Sequence, residues 1–227
     1  LRNPITGQLM SFMNPGTRTN NILTAGPAAN GRDQAGAFSA NSDIHLYYIT
    51  NGSTLATVSS ITAPTSGPVL PGGYHSWAYI GAWRLNASTQ FQQTVLRGSR
   101  VTYMGITAAL PGGAATIATA VSVAPFVPAV ALEYELADFG WAVSSDGAGL
   151  LVAELEIYAQ SSVLYGYMVK CSLGGLTPST SQRSMPGGTM VLPNIGQAFI
   201  YRWVVTSGSS PAATLYVPSY RIANGGD

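Results

Sequence analysis

The chain has 227 residues, of which 46% are hydrophobic and only 8% charged, with 10 Lys+Arg against 9 Asp+Glu and a formal net charge of +1. Globular domains carry roughly 25% charged residues, so solubility here rests on Ser, Thr, Asn, Gln and Gly, or on surface hidden against other subunits. The composition excludes disorder, which needs low hydrophobicity and high net charge, and it excludes a nucleic-acid-binding patch, because basic residues scattered singly from Arg2 to Arg221 do not release counterions from a phosphate backbone.

The first 40 residues are rich in Asn, Gly, Thr and Ala, offer one short strand at Ile22-Leu23-Thr24, and read as an extended arm for attachment to a neighbour. The start, Leu1-Arg2-Asn3-Pro4, has no apolar run behind a basic stretch, so no targeting segment is expected. Beyond the arm, 26 Gly and 14 Pro punctuate the chain and no window repeats with a 3.6-residue period, so helix is not expected. Short apolar and aromatic runs bounded by turn residues predict strands at 44–50, 54–59, 77–85, 91–96 and 100–106. In the strand at 77–85, Trp77, Tyr79, Gly81 and Trp83 are expected on one face and Ala78, Ile80 and Ala82 on the other. No charge falls between Arg100 and Glu133, yet Leu110-Pro111-Gly112-Gly113, Pro125 and Pro128 interrupt that stretch, so membrane insertion is not expected.

The second half predicts strands at 130–136, 139–144, 150–158, 165–171, 189–192, 198–205, 214–217 and 220–223. Asn51-Gly52 between two runs predicts a tight type I′ hairpin, and Asp146-Gly147 gives a similar signal. Glu154-Leu155-Glu156-Ile157 alternates as a strand with one wet face. Pro-Gly-Gly at 71–73, 111–113 and 186–188 reads as three turns with unequal spacing, not a repeat unit. The expected fold is all-β: a jelly-roll-like antiparallel β-sandwich over 41–227 behind the 1–40 arm. A sub-boundary near 108–128, with a second sandwich starting near Pro125, is the alternative. Area scaling buries roughly 70% of the unfolded chain's surface at this length. Cys171 stands alone, so no intramolecular disulfide supports the fold.

Chemistry is sparse. His45, His75 and Cys171 give no zinc spacing, and no Asp-rich calcium loop or Gly-rich phosphate loop occurs, so no metal and no cofactor is expected. A triad would have to draw on the two histidines with Asp33, Asp43 or Asp138, and there is no Gly-x-Ser-x-Gly elbow. His45, between Ile44 and Leu46 in a strand, reads as a hydrogen-bonded surface or interface residue. Glu133 with Glu135, and Glu154 with Glu156, lie at i, i+2 and about 6.6–6.8 Å apart along a strand. That spacing is compatible with a glycosidase pair but also arises by default on any wet strand face. No catalytic residue is therefore assigned. What remains is binding by surface: Tyr74, His75, Trp77, Tyr79 and Trp83 form an aromatic cluster suited to stacking on sugar rings, and they are the candidate ligand or host-surface contacts. Trp141, Tyr165, Tyr167, Tyr201 and Trp203 read as core or interface residues.

A resemblance runs through Gly31-Arg32-Asp33-Gln34, the strand His45-Leu46-Tyr47-Tyr48-Ile49, the turn Gly67-Pro68-Val69-Leu70-Pro71-Gly72-Gly73-Tyr74, then Tyr79-Ile80-Gly81-Ala82 and Arg97-Gly98. This block, about a third of the chain, resembles tail-fibre and related appendage proteins of tailed bacteriophages. It departs from their commoner pattern at His75-Ser76-Trp77, where basic residues often follow the Gly-Tyr step. The resemblance implies a virion structural protein on the tail or the capsid surface, acting by adhesion and not as an enzyme. It implies a homo-oligomer, with a trimer favoured, contacting other virion proteins and a host cell-surface glycan. A capsid decoration or head-fibre protein that stabilises the shell is the alternative, and a polysaccharide depolymerase is a third reading.

Overall fold

A computed structural model describes residues 1–12, 16–105, 107–144, 152–159, 169–173, 182–184, 189–207 and 209–223. Among the described residues every helical or extended element is a strand, as the Gly and Pro punctuation leads one to expect. The chain divides into two compact units. One is Leu1–Gln92 with Arg97–Ser99 and the segment from Ile222 onward, and the other is Gln93–Leu96 with Arg100–Arg221. The division thus falls at Gln92, upstream of the 108–128 stretch where the Pro-rich composition pointed.

The first unit holds β1 (Gly31–Arg32), β2 (Asp43–Thr50), β3 (Leu55–Ser60) and β4 (Ser76–Arg84) in the order β1-β3-β2-β4. Pairing is antiparallel except for β1 against β3. Alternation along β2 sends Tyr47 and Ile49 to one face, where they pack with Ala56, Val58, Leu70 and Tyr74. Ile44 goes to the other, with Phe38, Leu85 and Ile22. The β2–β3 hairpin is wider than the expected type I′ turn. Thr50 opposes Leu55, only Gly52 has positive φ (+98°), and the Asn51 side chain closes the loop by accepting the Ser53 and Thr54 N–H groups at 3.1 and 2.7 Å.

The described residues of the 1–40 segment, expected as an extended arm for attachment to a neighbour, group with the first sheet in one compact unit. Asn30 Oδ1 accepts the Thr57 N–H at 3.1 Å and Ser59 Oγ donates to the Gly31 carbonyl at 3.0 Å. Arg32 is 6% exposed; its guanidinium donates to the Ile22 and Ala35 carbonyls at 2.8 and 2.9 Å and lies 6.0 Å from the Phe38 ring centroid. Polar anchors hold this segment, which is why a scan for apolar runs passes over it.

The remaining strands are β5 (Thr94–Arg97), β6 (Arg100–Tyr103), β7 (Ala108–Gly113), β8 (Thr119–Ser122), β9 (Ala131–Ser144), β10 (Val152–Tyr158), β11 (Val169–Leu173), β12 (Gln182–Ser184), β13 (Thr189–Pro193), β14 (Ala198–Ser207), β15 (Ser209–Tyr216) and β16 (Ser219–Ile222). One sheet has the order β11-β10-β14-β8. An eight-stranded sheet runs β5-β6-β16-β9-β15-β7, with β12 and β13 also paired to β9. The two runs predicted at 130–136 and 139–144 are a single strand, β9, flanked along both edges. Pro111-Gly112-Gly113, expected as a turn, lies inside β7. Among the described residues that strand pairs with β15 alone and sits at the sheet's end, where a missing N–H is tolerated.

In the second unit the two sheets form a sandwich. Leu155, Ile157, Phe199, Tyr201 and Trp203 are buried from one sheet, and Tyr134, Leu136, Ala213 and Leu215 from the other. Trp203 Nε1 donates to the Gly113 carbonyl at 3.0 Å, and Tyr134 Oη to the Ala198 carbonyl at 3.1 Å, so both aromatic donors are satisfied across the layer. Asp146-Gly147, Pro186-Gly187-Gly188, Tyr165 and Tyr167 lie outside the described residues.

Candidate functional site

The aromatic cluster sits on and just before β4. A turn closed by the Tyr74 N–H on the Pro71 carbonyl (3.1 Å), with Gly73 at φ +85°, delivers the chain to it. The register then changes mid-strand: Trp77 opposes Ile49 and Tyr79 opposes Tyr47, but Gly81 opposes Leu46 and Trp83 opposes Ile44. Ile80 is the extra residue of a β-bulge. Directly opposed residues share a face, so Trp77 and Tyr79 lie with Tyr47 and Ile49, whereas Gly81 and Trp83 lie with Leu46 and Ile44. The expected single face of Trp77, Tyr79, Gly81 and Trp83 is therefore split in two.

On the first face the rings interlock. Trp77 meets Tyr47 edge-on at 5.4 Å between centroids, and Tyr79 is tilted on Tyr47 at 5.5 Å. Tyr47 Oη donates to the Thr62 carbonyl at 2.6 Å, and Tyr79 Oη lies 3.4 Å from His45 Nδ1. Burial raises both phenols' pKa values well above the ordinary range. Burial also lowers the His45 pKa, against the opposing pull of Asp43, which itself pairs with Arg84 at 2.6 Å. Of the predicted contact residues, Tyr74, Trp77 and Tyr79 pack against the Tyr47–Val58 core. His75 Nδ1 bonds Ser76 Oγ at 3.0 Å, and all five, Trp83 included, are half-buried.

Trp77 is the one that also opens outward. With Arg2, Pro4, Leu9, Pro64 and Thr65 it walls a groove of about 550 Å³. Two backbone hydrogen bonds, Arg2 N–H to the Trp77 carbonyl (3.0 Å) and Trp77 N–H to the Arg2 carbonyl (3.1 Å), set these residues directly opposite one another. Gly67, at φ +73°, lies so close that a Cβ there would come within 2.6 Å of the indole. Tyr47 and Gly67 therefore fix the ring that Arg2 borders.

The carboxylate pairs are engaged elsewhere. Glu133 bonds Arg221 at 2.7 Å, and Glu135 bonds Arg100 and, at 2.7 Å, Ser219 Oγ. The Arg221 hydrogen bond holds Glu133 below the usual carboxylate range despite partial burial, the opposite of what a general acid needs. The alternation at 154–157 misleads: Glu156 is only 3% exposed, packed in the strand and bonded to Arg202 and to Tyr158 Oη. Burial, then the Glu156 contact, raises the Tyr158 pKa, and Glu156 raises that of Arg202. Among the described residues no group of three or more His, Cys, Asp or Glu is placed to hold a metal ion.

No protein-family model matches this chain, and no curated protein matches it either. Its function is therefore argued from the site. Sequence reasoning found Trp77 but missed Arg2, Pro4, Pro64 and Thr65, since only the fold brings these segments together. The one available signal was an arginine two residues before a proline in a charge-poor chain.

Proposed function

We propose that this chain is a structural component of a bacteriophage particle, a tail fibre or tail-tip appendage that adheres to the host surface. The observation that carries the reading is the Trp77 groove: an indole fixed by its neighbours in a groove that Arg2, Pro4 and Pro64 also wall, with no carboxylate among the described lining residues. This is equipment for holding a ligand without transforming it. The sparse charge and the resemblance over 31–103 support the same reading.

Imaging intact virions at side-chain detail is the test. Finding the chain at the tail in a three-fold assembly is the expected result. Finding it on the capsid lattice would replace adhesion with shell stabilisation, and finding it in neither place would overturn a virion role altogether.

A further inference from the structure

We infer that the Trp77 groove binds an acidic sugar, a uronic or nonulosonic acid residue of a glycan, with Arg2 as the group that selects the carboxylate. The inference rests on the adhesion reading and narrows it to a ligand class. Because Arg2 and Trp77 form a directly opposed backbone pair, their side chains leave the same face of the ladder. An arginine and an indole carried on one face and walling one groove match a ligand that is apolar on one ring face and anionic at its edge. The C–H face of a pyranose packs on the ring, and its carboxylate accepts from the guanidinium in the forked geometry that arginine favours.

The rest of the lining agrees. Thr65 supplies one hydroxyl suited to sugar hydroxyls, and Pro4 and Pro64 supply apolar walls without N–H groups. That last feature disfavours an extended peptide, which needs backbone partners along its length. A single arginine is also too little positive charge for a polyphosphate backbone. The volume, about 550 Å³, lies within the roughly 300–1,000 Å³ of small-ligand sites. Trp77 is fixed before any ligand arrives, by Tyr47 on one side and the bare backbone of Gly67 on another, so binding orders little of the site.

The experiment titrates the full chain with galacturonate, glucuronate and N-acetylneuraminate oligomers and with their methyl esters, reading the four indole N–H resonances by NMR, with that of Trp77 assigned through Trp77→Phe. At least one acid is expected to shift the Trp77 resonance saturably, with its ester at least ten-fold weaker. Arg2→Gln is expected to bring acid and ester to equal affinity while the other three indole signals stay in place, which reports an intact fold. No shift from any acid, equal affinity for acid and ester in the parent chain, or an unchanged acid preference in Arg2→Gln would each overturn the inference. These readouts need no virion, so their failure leaves the location of the chain in the particle an independent question.

Discussion

His45 shows how one buried side chain sets a pH dependence. It is 3% exposed, Nδ1 is shared with Tyr79 Oη, and burial holds its pKa below the ordinary 6.5. Between the folded value and 6.5 the unfolded chain binds a proton that the native chain refuses, so its stabilising contribution is complete above about pH 6.5 and declines as the pH falls. Urea midpoints measured from pH 8 to pH 5 should therefore fall toward acid in the parent chain, and the slope between pH 6.5 and 5 should flatten in His45→Asn. An unchanged slope in the variant would assign the acid sensitivity to other groups. The sequence placed His45 on a strand correctly, because the Ile44-His45-Leu46 alternation is local. That its face is the covered one was not legible, because both faces of β2 carry apolar residues.

At the scale of an element, β10 and β9 carry the same i, i+2 glutamate spacing into different environments. Glu156 on β10 is buried against Arg202 and Tyr158, whereas Glu133 and Glu135 on β9 meet the half-exposed Arg221 and Arg100. Removing the cation from a buried carboxylate leaves a charge without compensation, while exposed pairs contribute little because water screens them. Arg202→Leu is accordingly expected to lower the denaturant midpoint further than Arg100→Leu, which should cost under about 1 kcal/mol, both read at constant slope. Equal costs would contradict the burial argument. The strands themselves were legible because Gly and Pro bound them, but spacing alone does not say whether water or an arginine faces a glutamate. In β4 the bulge was illegible for a related reason: every residue from Trp77 to Trp83 is apolar, aromatic or glycine, so no polar position marks where the register changes.

At the scale of the whole molecule, low charge leaves apolar side chains in view. In the second unit Leu132 is 46% exposed, Val191 45% and Ile195 44%, on or beside β9 and β13. A net charge near zero together with apolar side chains in view favours association with other copies. Sedimentation equilibrium of the full chain should give a multiple of 23.6 kDa, and Leu132→Lys with Val191→Lys should lower it. A 23.6 kDa species in the parent chain would remove self-association from the reading.

The bulge at Ile80 works like a frameshift in the side-chain pattern. Upstream of it, odd-numbered residues of β4 face the Tyr47 core; downstream, Gly81 and Trp83 are sent to the face of Ile44. Deleting Ile80 would leave Gly81 opposite Leu46, Ala82 opposite His45 and Trp83 opposite Ile44, so every ring keeps its face and only the local bend is lost. Two half-strands with separate duties would merge into one uninterrupted ladder. In this strand one residue held out of the ladder thus sends Trp77 and Trp83 to opposite faces, and flattening the bulge with every residue kept would turn Trp83 toward the Tyr47 core.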